Sequence, residues 1–140
     1  MSVVIVYDVP LDQADAVLQR GKADTEERLV EARDKILYFI EQYQIKSYTA
    51  SSNPALPPGS NYQRSFTLAN ASEIEKISGK LPNISGVWRV NEAQADYAEY
   101  VIGTRAQQAR IHRGRWKTRT EVERAAQERG PQIVQEQLSK

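Results

Sequence analysis

The chain has 140 residues, 40% of them apolar, and its 19 basic and 18 acidic side chains leave a formal net charge of +1. It contains no cysteine, which excludes disulfides, thiolate nucleophiles and cysteine-ligated metal sites. Its length fits one domain over 1–140. No apolar run approaches the roughly 18 residues of a membrane helix, so we expect a soluble protein made inside the cell, with no membrane partner.

The N-terminal part predicts a strand and two helices. A β-branched run over 3–6 ends before Pro10 and predicts a strand, and the next segment, 11–19, favours a short helix. The strongest pattern follows, because apolar residues recur at helical spacing after a capping-box-like start at Asp24. It predicts a helix over 25–43.

The middle of the chain predicts a loop and three strands. Residues 47–62 are rich in Ser, Asn, Pro and Gly, which predicts a long loop. Alternation of apolar and polar side chains predicts a strand over 62–68, and apolar or aromatic runs predict two more over 86–90 and 97–102. Turns are expected at Asn83, Gly86 and 91–95.

The C-terminal part predicts a polar helix from about residue 121. Thr120 and Glu123 form a capping box, and Gly130 followed by Pro131 should break or kink the helix. The residues expected to face the core are Val122, Ala126, Ile133, Val134 and Leu138.

These elements predict an α+β fold, in which a small, mostly antiparallel sheet packs against the helix over 25–43. The strand over 3–6 is expected to join the sheet. The C-terminal helix lies beside the body or reaches out, and long loops connect the elements. Phe66 and Trp88 are expected in the core.

The charges are unevenly placed along the chain. The N-terminal half is comparatively acidic, whereas one later stretch is basic without an intervening Asp or Glu. Such polarity suits head-to-tail contacts in a ring or an anionic partner. The residues of this basic segment are Arg105, Arg110, Arg113, Arg115, Trp116, Lys117 and Arg119.

Neither catalysis nor a cofactor is predicted. His112 is the only histidine, its neighbours are basic, and no orienting carboxylate is near it in sequence. There is no glycine-rich phosphate loop and no nucleophile elbow. We therefore expect no enzyme, no metal ligand and no cofactor.

The basic segment has two interpretations. Its cations and Trp116 are typical of a nucleic-acid surface. Alternatively, its arginines meet carboxylates of a neighbouring subunit. A further alternative is an enzyme, because the small endoribonuclease toxins also use Arg, Lys and Tyr in such segments.

Three segments in order resemble one protein family. A Pro/Gly loop runs into Tyr-Gln-Arg-Ser-Phe-Thr-Leu at 62–68, followed by Tyr-Ala-Glu-Tyr-Val-Ile-Gly-Thr at 97–104 and His-Arg-Gly-Arg-Trp-Lys-Thr at 112–118. Over about 24–138 the chain resembles the tail-completion or neck family of tailed phages, similar to minor tail protein Z and the head-tail joining group. It departs from the family at Ser65 and Phe66, which replace a small Thr-Gly pair, and in a longer N-terminal segment.

The resemblance implies a structural virion protein that assembles as a closed ring, favoured as a hexamer, at the head-tail junction. Its implied partners are the head connector or stopper protein, the tail terminator or tail tube protein, and genome DNA passing through the channel. The basic segment would form subunit contacts or line that channel. A loop arm that reaches adjacent subunits would carry Pro57, Pro58, Tyr62 and Arg64.

Overall fold

The computed structural model describes residues 3–11, 21–49, 71–91, 93–95, 98–104, 106–108 and 117–140, with backbone alone at 45–49, 99 and 100. The α+β class predicted from the sequence is confirmed. The described elements, in chain order, are β1 (Val4–Asp8), α1 (Lys22–Thr49), β2 (Ser72–Lys80), β3 (Asn83–Val90), α2 (Ala98–Ile102) and α3 (Arg119–Leu138).

The described strands form one antiparallel sheet in the order β1-β3-β2. Central strand β3 places Trp88 opposite Ile5 of β1 and opposite Ile74 of β2. Because both outer strands are antiparallel to β3, β1 and β2 run in the same direction. Trp88 is 1% exposed, as predicted for a core residue, whereas Phe66 lies outside the described residues.

Helix α1 covers one face of the sheet, which we call the core face. Its apolar stripe of Leu29, Ile36, Leu37 and Ile40 is fully buried. The approach to β3 is so close that a Cβ atom at Gly86 would collide with Leu37 Cδ1 and lie 3.2 Å from the carbonyl oxygen of Glu75. Gly86 is therefore required by packing.

Helix α3 packs along α1 and reaches β1. The buried side-chain amide of Gln137, with its nitrogen towards Glu31, donates to Glu31 Oε2 at 3.2 Å and accepts from Lys35 Nζ. Gly130 lies against the Tyr7 hydroxyl, where a Cβ atom would collide with it. Burial also raises the pKa of Tyr7. The C-terminal helix therefore lies beside the body.

The structure lengthens two predicted elements. Helix α1 continues to Thr49, so the predicted loop over 47–62 begins inside a helix, and its remainder lies outside the described residues. Strand β3 begins at Asn83, so Asn83 and Gly86, predicted as turns, are strand residues. The predicted strand over 62–68 also lies outside the described residues, as does the predicted helix over 11–19 except for Leu11.

One strand was missed and one predicted strand is a helix. Strand β2 occupies Ser72–Lys80, for which the sequence predicted nothing. The predicted strand over 97–102 is wrong, because Ala98–Ile102 is helical. Adjacent Val101 and Ile102 are both buried, and Gln108 Nε2 donates to the Val101 carbonyl at 2.7 Å near the helix end.

The start of α3 and its predicted break both differ from expectation. The capping box is formed by Thr118 and Glu121, two residues before the predicted pair, so the helix begins at Arg119. Pro131 lies inside a continuous helix. The residues predicted to face the core are buried on both sides of it, which compensates for the backbone hydrogen bond that proline removes.

The contact at Gly86 predicts an overpacking effect. Gly86→Ala should destabilise the fold by about 1–3 kcal/mol, because its methyl group meets Leu37 and a strand carbonyl. In the double variant with Leu37→Ala the two costs should be less than additive. Gly79→Ala is the matched control, since its Cβ would meet no backbone atom and would lie 3.1 Å from Val30 Cγ2 and 3.7 Å from Arg33 Nη1. Urea unfolding measures Gly86→Ala, Leu37→Ala, their double variant and Gly79→Ala. Equal costs for the two glycine variants would contradict the packing assignment.

Candidate interaction surface

The structure describes only part of the predicted site. Lys117 and Arg119 are described. The rest lie outside the described residues, and their proposed roles stay predictions: Arg105, Arg110, Arg113, Arg115 and Trp116 of the basic segment, and Pro57, Pro58, Tyr62 and Arg64 of the loop arm.

Lys117 is held against helix α1. Its Nζ atom lies 5.7 Å from the centre of the Tyr43 ring, which stacks on Phe39 with ring centres 5.6 Å apart. Its carbonyl oxygen accepts a hydrogen bond from Gln44 Nε2 at 3.0 Å. A cation over an aromatic face is attracted to the ring quadrupole. Lys117 therefore anchors the end of the basic segment to its own chain.

Arg119 is the first residue of α3 and also contacts its own chain. Its backbone N–H donates to the Gly103 carbonyl at 3.0 Å, and its Nε atom lies 3.5 Å from Glu123 Oε1 one helical turn later. The subunit contacts predicted for the basic segment would therefore be made by its residues before Lys117.

Large apolar side chains are exposed on the outer strands. Of the described residues, Val6 on β1 is 63% exposed, Ile77 and Ile74 on β2 are 55% and 39% exposed, and Tyr38 on α1 is 59% exposed. In the described part of the chain, β1 and β2 each pair with β3 alone. Apolar surface is thus presented at both edges of the sheet.

A β-bulge presents Ile77. The register between β2 and β3 shifts between Lys76 and Ser78, which leaves Ile77 as the extra residue. The buried Arg33 guanidinium donates from Nη1 to the carbonyl oxygens of Ser78 at 2.8 Å and Ser85 at 3.5 Å. Its Nη2 atom donates to Asp34 Oδ1 at 3.0 Å. Arg33 therefore fastens both strands beside the bulge.

The seam between α1 and β2 displays Tyr38 and Ile74. Asp34 Oδ2 lies 3.3 Å from Lys76 Nζ, and Glu41 accepts a hydrogen bond from Ser72 Oγ at 3.0 Å. Tyr38 lies four residues after Asp34 and three before Glu41, so the three side chains share one face of α1. Ile74 lies between Ser72 and Lys76 on the same side of β2. These polar contacts therefore bracket an exposed apolar pair.

The other face of the sheet, which we call the outer face, carries a charged network. Arg89 Nη1 lies 2.6 Å from Glu75 Oε2, and its Nε atom lies 3.4 Å from Glu73 Oε2. Asn91 Nδ2 also donates to Glu73 at 2.8 Å. Exposed pairs of this kind add little stability. They do cover the sheet beside β2 with polar groups.

Opposite charges end the two outer strands at the same end of the sheet. Exposed Asp8 closes β1, and Lys80, with 86% of its side chain exposed, closes β2. Lys80 Nζ lies 3.9 Å from Glu26 Oε2, a loose contact that leaves the ammonium accessible. One edge is therefore acidic at this end and the other basic.

Sequence reasoning missed Arg33, Ile74 and Ile77. Arg33 occupies a position four residues after Leu29 and three before Ile36, inside the apolar stripe of α1. A cation at such a position signals a buried charge with dedicated partners. The two isoleucines are three residues apart, a spacing that does not suggest a strand because Ile77 is the extra residue of the bulge.

Two further limits apply to the described residues. No group of three or more His, Asp or Glu side chains among them is placed to hold a metal ion. No helix in the described ranges is long and apolar enough to cross a membrane.

No family model matches the chain, and neither the curated proteins nor the solved structures gave a match to it. What the protein does is therefore inferred from its sequence pattern and its surface.

Arg33 should be hard to replace. Arg33→Lys keeps the charge but loses the planar fork that reaches two carbonyls and a carboxylate, so we expect a loss of about 1.5–3 kcal/mol in unfolding free energy. Arg129→Lys, whose contacts with Gln132 and Glu136 are exposed, is the matched control and should stay within about 0.5 kcal/mol of wild type. Urea titration compares them, and similar small losses would contradict the role given to Arg33.

Proposed function

We propose that the chain is a structural subunit of the neck of a tailed bacteriophage. It assembles as a closed ring, favoured as a hexamer, between the head connector or stopper and the tail terminator or tail tube, and genome DNA passes through the channel. The protein thus completes the tail or joins it to the head. It resides in the virion, after assembly in the host cytoplasm.

The presence of exposed apolar side chains at both edges of one small sheet is the structural observation that carries this proposal. Val6 marks one edge and Ile77 the other. A cyclic ring is built from heterologous contacts, in which each subunit offers two different surfaces that fit each other. Two chemically different edges on one rigid body meet that requirement.

The ordered sequence pattern supplies the biological setting. The segments at 62–68, 97–104 and 112–118 follow the order of the neck family they resemble. The structure assigns a short helix to part of the second segment, so the likeness there is one of sequence and not of a strand. The first segment lies outside the described residues.

The nucleic-acid interpretation of the basic segment predicts a different behaviour. A nucleic-acid-binding module would bind DNA as a monomer. Its affinity would fall steeply as salt rises, because binding releases counterions from the phosphates and that release is less favourable at high salt. A ring subunit would first assemble with other copies of the chain, and any contact with DNA would follow that assembly.

The proposed function predicts a joining defect. Lysates of a phage lacking this gene should accumulate filled heads and free tails, because the connection between them is missing. Adding the purified full-length protein should restore joined, infectious particles, as counted by electron microscopy and plaque titre. Normal joined particles without the gene would reject the proposal.

A second prediction concerns the arginines of the basic segment. Arg113→Ala with Arg115→Ala should leave the monomer folded but block joining, since arginine's planar fork suits fixed carboxylates of a neighbour. If these residues line the channel instead, joined particles should form with faulty DNA retention or ejection. Arg124→Ala with Arg129→Ala, on the C-terminal helix, is the matched charge control. Micrographs of the two lysates decide between the roles.

A further inference from the structure

We propose that strand β2 of one copy lies beside strand β1 of the next copy, parallel to it, with Lys80 of the first next to Asp8 of the second. The sheet would then continue from subunit to subunit. This contact rests on the proposed ring, because it joins copies of the same chain through two different edges.

The outer edge of strand β1 is the first half of the proposed contact. The strand has no described partner beyond β3, and Val4–Asp8 contains no lysine, proline or bulge to keep the edge from pairing; its one charged residue, Asp8, lies at its end. Val6 is also 63% exposed. An apolar, unprotected edge of this kind is a template for another strand.

Strand β2 is protected against pairing with its own copy. Its bulge at Ile77 would interrupt a two-fold β2–β2 ladder near its centre. Glu73 and Glu75 are already held by Arg89. Lys76 is held by Asp34 at 3.3 Å, so the most exposed charge of β2 is Lys80, which favours an acidic group on a different edge.

The faces of the two strands match when Asp8 lies beside Lys80. Asp8 and Ser78 both pair with Ser85, so they project from the outer face, and Lys80 follows Ser78 at an interval of two. Lys80 is the last residue of β2, and its long side chain curves round the strand end to bring Nζ within 3.9 Å of Glu26 on α1. Placing Asp8 beside Lys80 brings Val6 beside Ser78 and against Ile77. The register therefore joins opposite charges and two exposed apolar side chains at once.

Strand direction agrees with a ring. Strands β1 and β2 run the same way in one copy, and rotation about an axis along the strands preserves that direction. The junction between copies is then parallel and repeats at every subunit. A two-fold contact between identical edges would be antiparallel and would close after two copies.

The chain's lack of cysteine makes the contact testable by disulfides. One copy carries Val6→Cys and a differently sized copy carries Ile77→Cys, both in full-length protein within particles joined by complementation. Mild oxidation should give a mixed disulfide between the two sizes. With both cysteines in one chain, oxidation should give a ladder that ends at the copy number of the ring.

The disulfide reports contacts between copies only. Within one copy β1 and β2 are two strand spacings apart, about 9.6 Å, which is beyond the about 7 Å that separates the Cα atoms of a disulfide. Val6→Cys with Glu73→Cys is the matched control, because Glu73 lies about 13 Å along β2 from Ile77. It should give no mixed product.

Other products would overturn the proposal. A disulfide between two Val6→Cys copies would indicate a β1–β1 contact. A disulfide between two Ile77→Cys copies would indicate a β2–β2 contact. Joined particles without the mixed disulfide would place the subunit contact elsewhere and leave the proposed function intact. Failure of the wild-type protein to restore joining would reject that function, whereas the mixed disulfide in the purified protein would still support the contact.

A charge reversal tests the register independently. Asp8→Lys should abolish the disulfide ladder, because it sets two cations together at every junction. Adding Lys80→Glu to the same chain should restore the ladder. Both positions are exposed, so circular dichroism should show an unchanged fold. A ladder that survives Asp8→Lys would contradict the pairing.

Discussion

The close approach of α1 to the central strand of the sheet determines the rest of the arrangement. Because position 86 has no side chain, Leu37 packs directly onto β3. At that separation the Arg33 guanidinium also reaches the carbonyls of Ser78 and Ser85, and it thereby links β2 to β3 beside the bulge. One tight contact therefore buries the core face and fixes the edge that displays Ile77.

Elements whose packing follows a simple period could be predicted from the sequence. The apolar stripe of α1 recurs at helical spacing, and each predicted core residue of α3 is buried. Strand β1 was predicted from its β-branched run. In α3 the cap was placed two residues late because Thr118 with Glu121 and Thr120 with Glu123 both satisfy the capping-box pattern, and sequence spacing alone does not choose between them.

The remainder depended on tertiary contacts that no local pattern contains. The bulge shifts the period of β2, so its isoleucines do not alternate with polar residues. Gly86 suggested a turn but serves a close approach. Aromatic and β-branched residues suggested a strand over 97–102, where local preference was overridden by packing. For the site, sequence indicated the basic segment, whereas the exposed edges became visible only when β1 and β2 were placed on opposite sides of β3.

The distribution of polar groups restricts how another copy can approach. The core face is occupied by α1, and the outer face beside β2 is covered by Arg89 with its two glutamates. Burying that network would remove three charged groups from water for contacts they already make within the chain. Approach along the edge avoids this cost, since it uses backbone groups, Val6 and Ile77. A sheet whose outer face carries charged groups beside β2, and whose outer strands carry exposed apolar residues in the described part of the chain, is therefore suited to growth by adding strands at its edges.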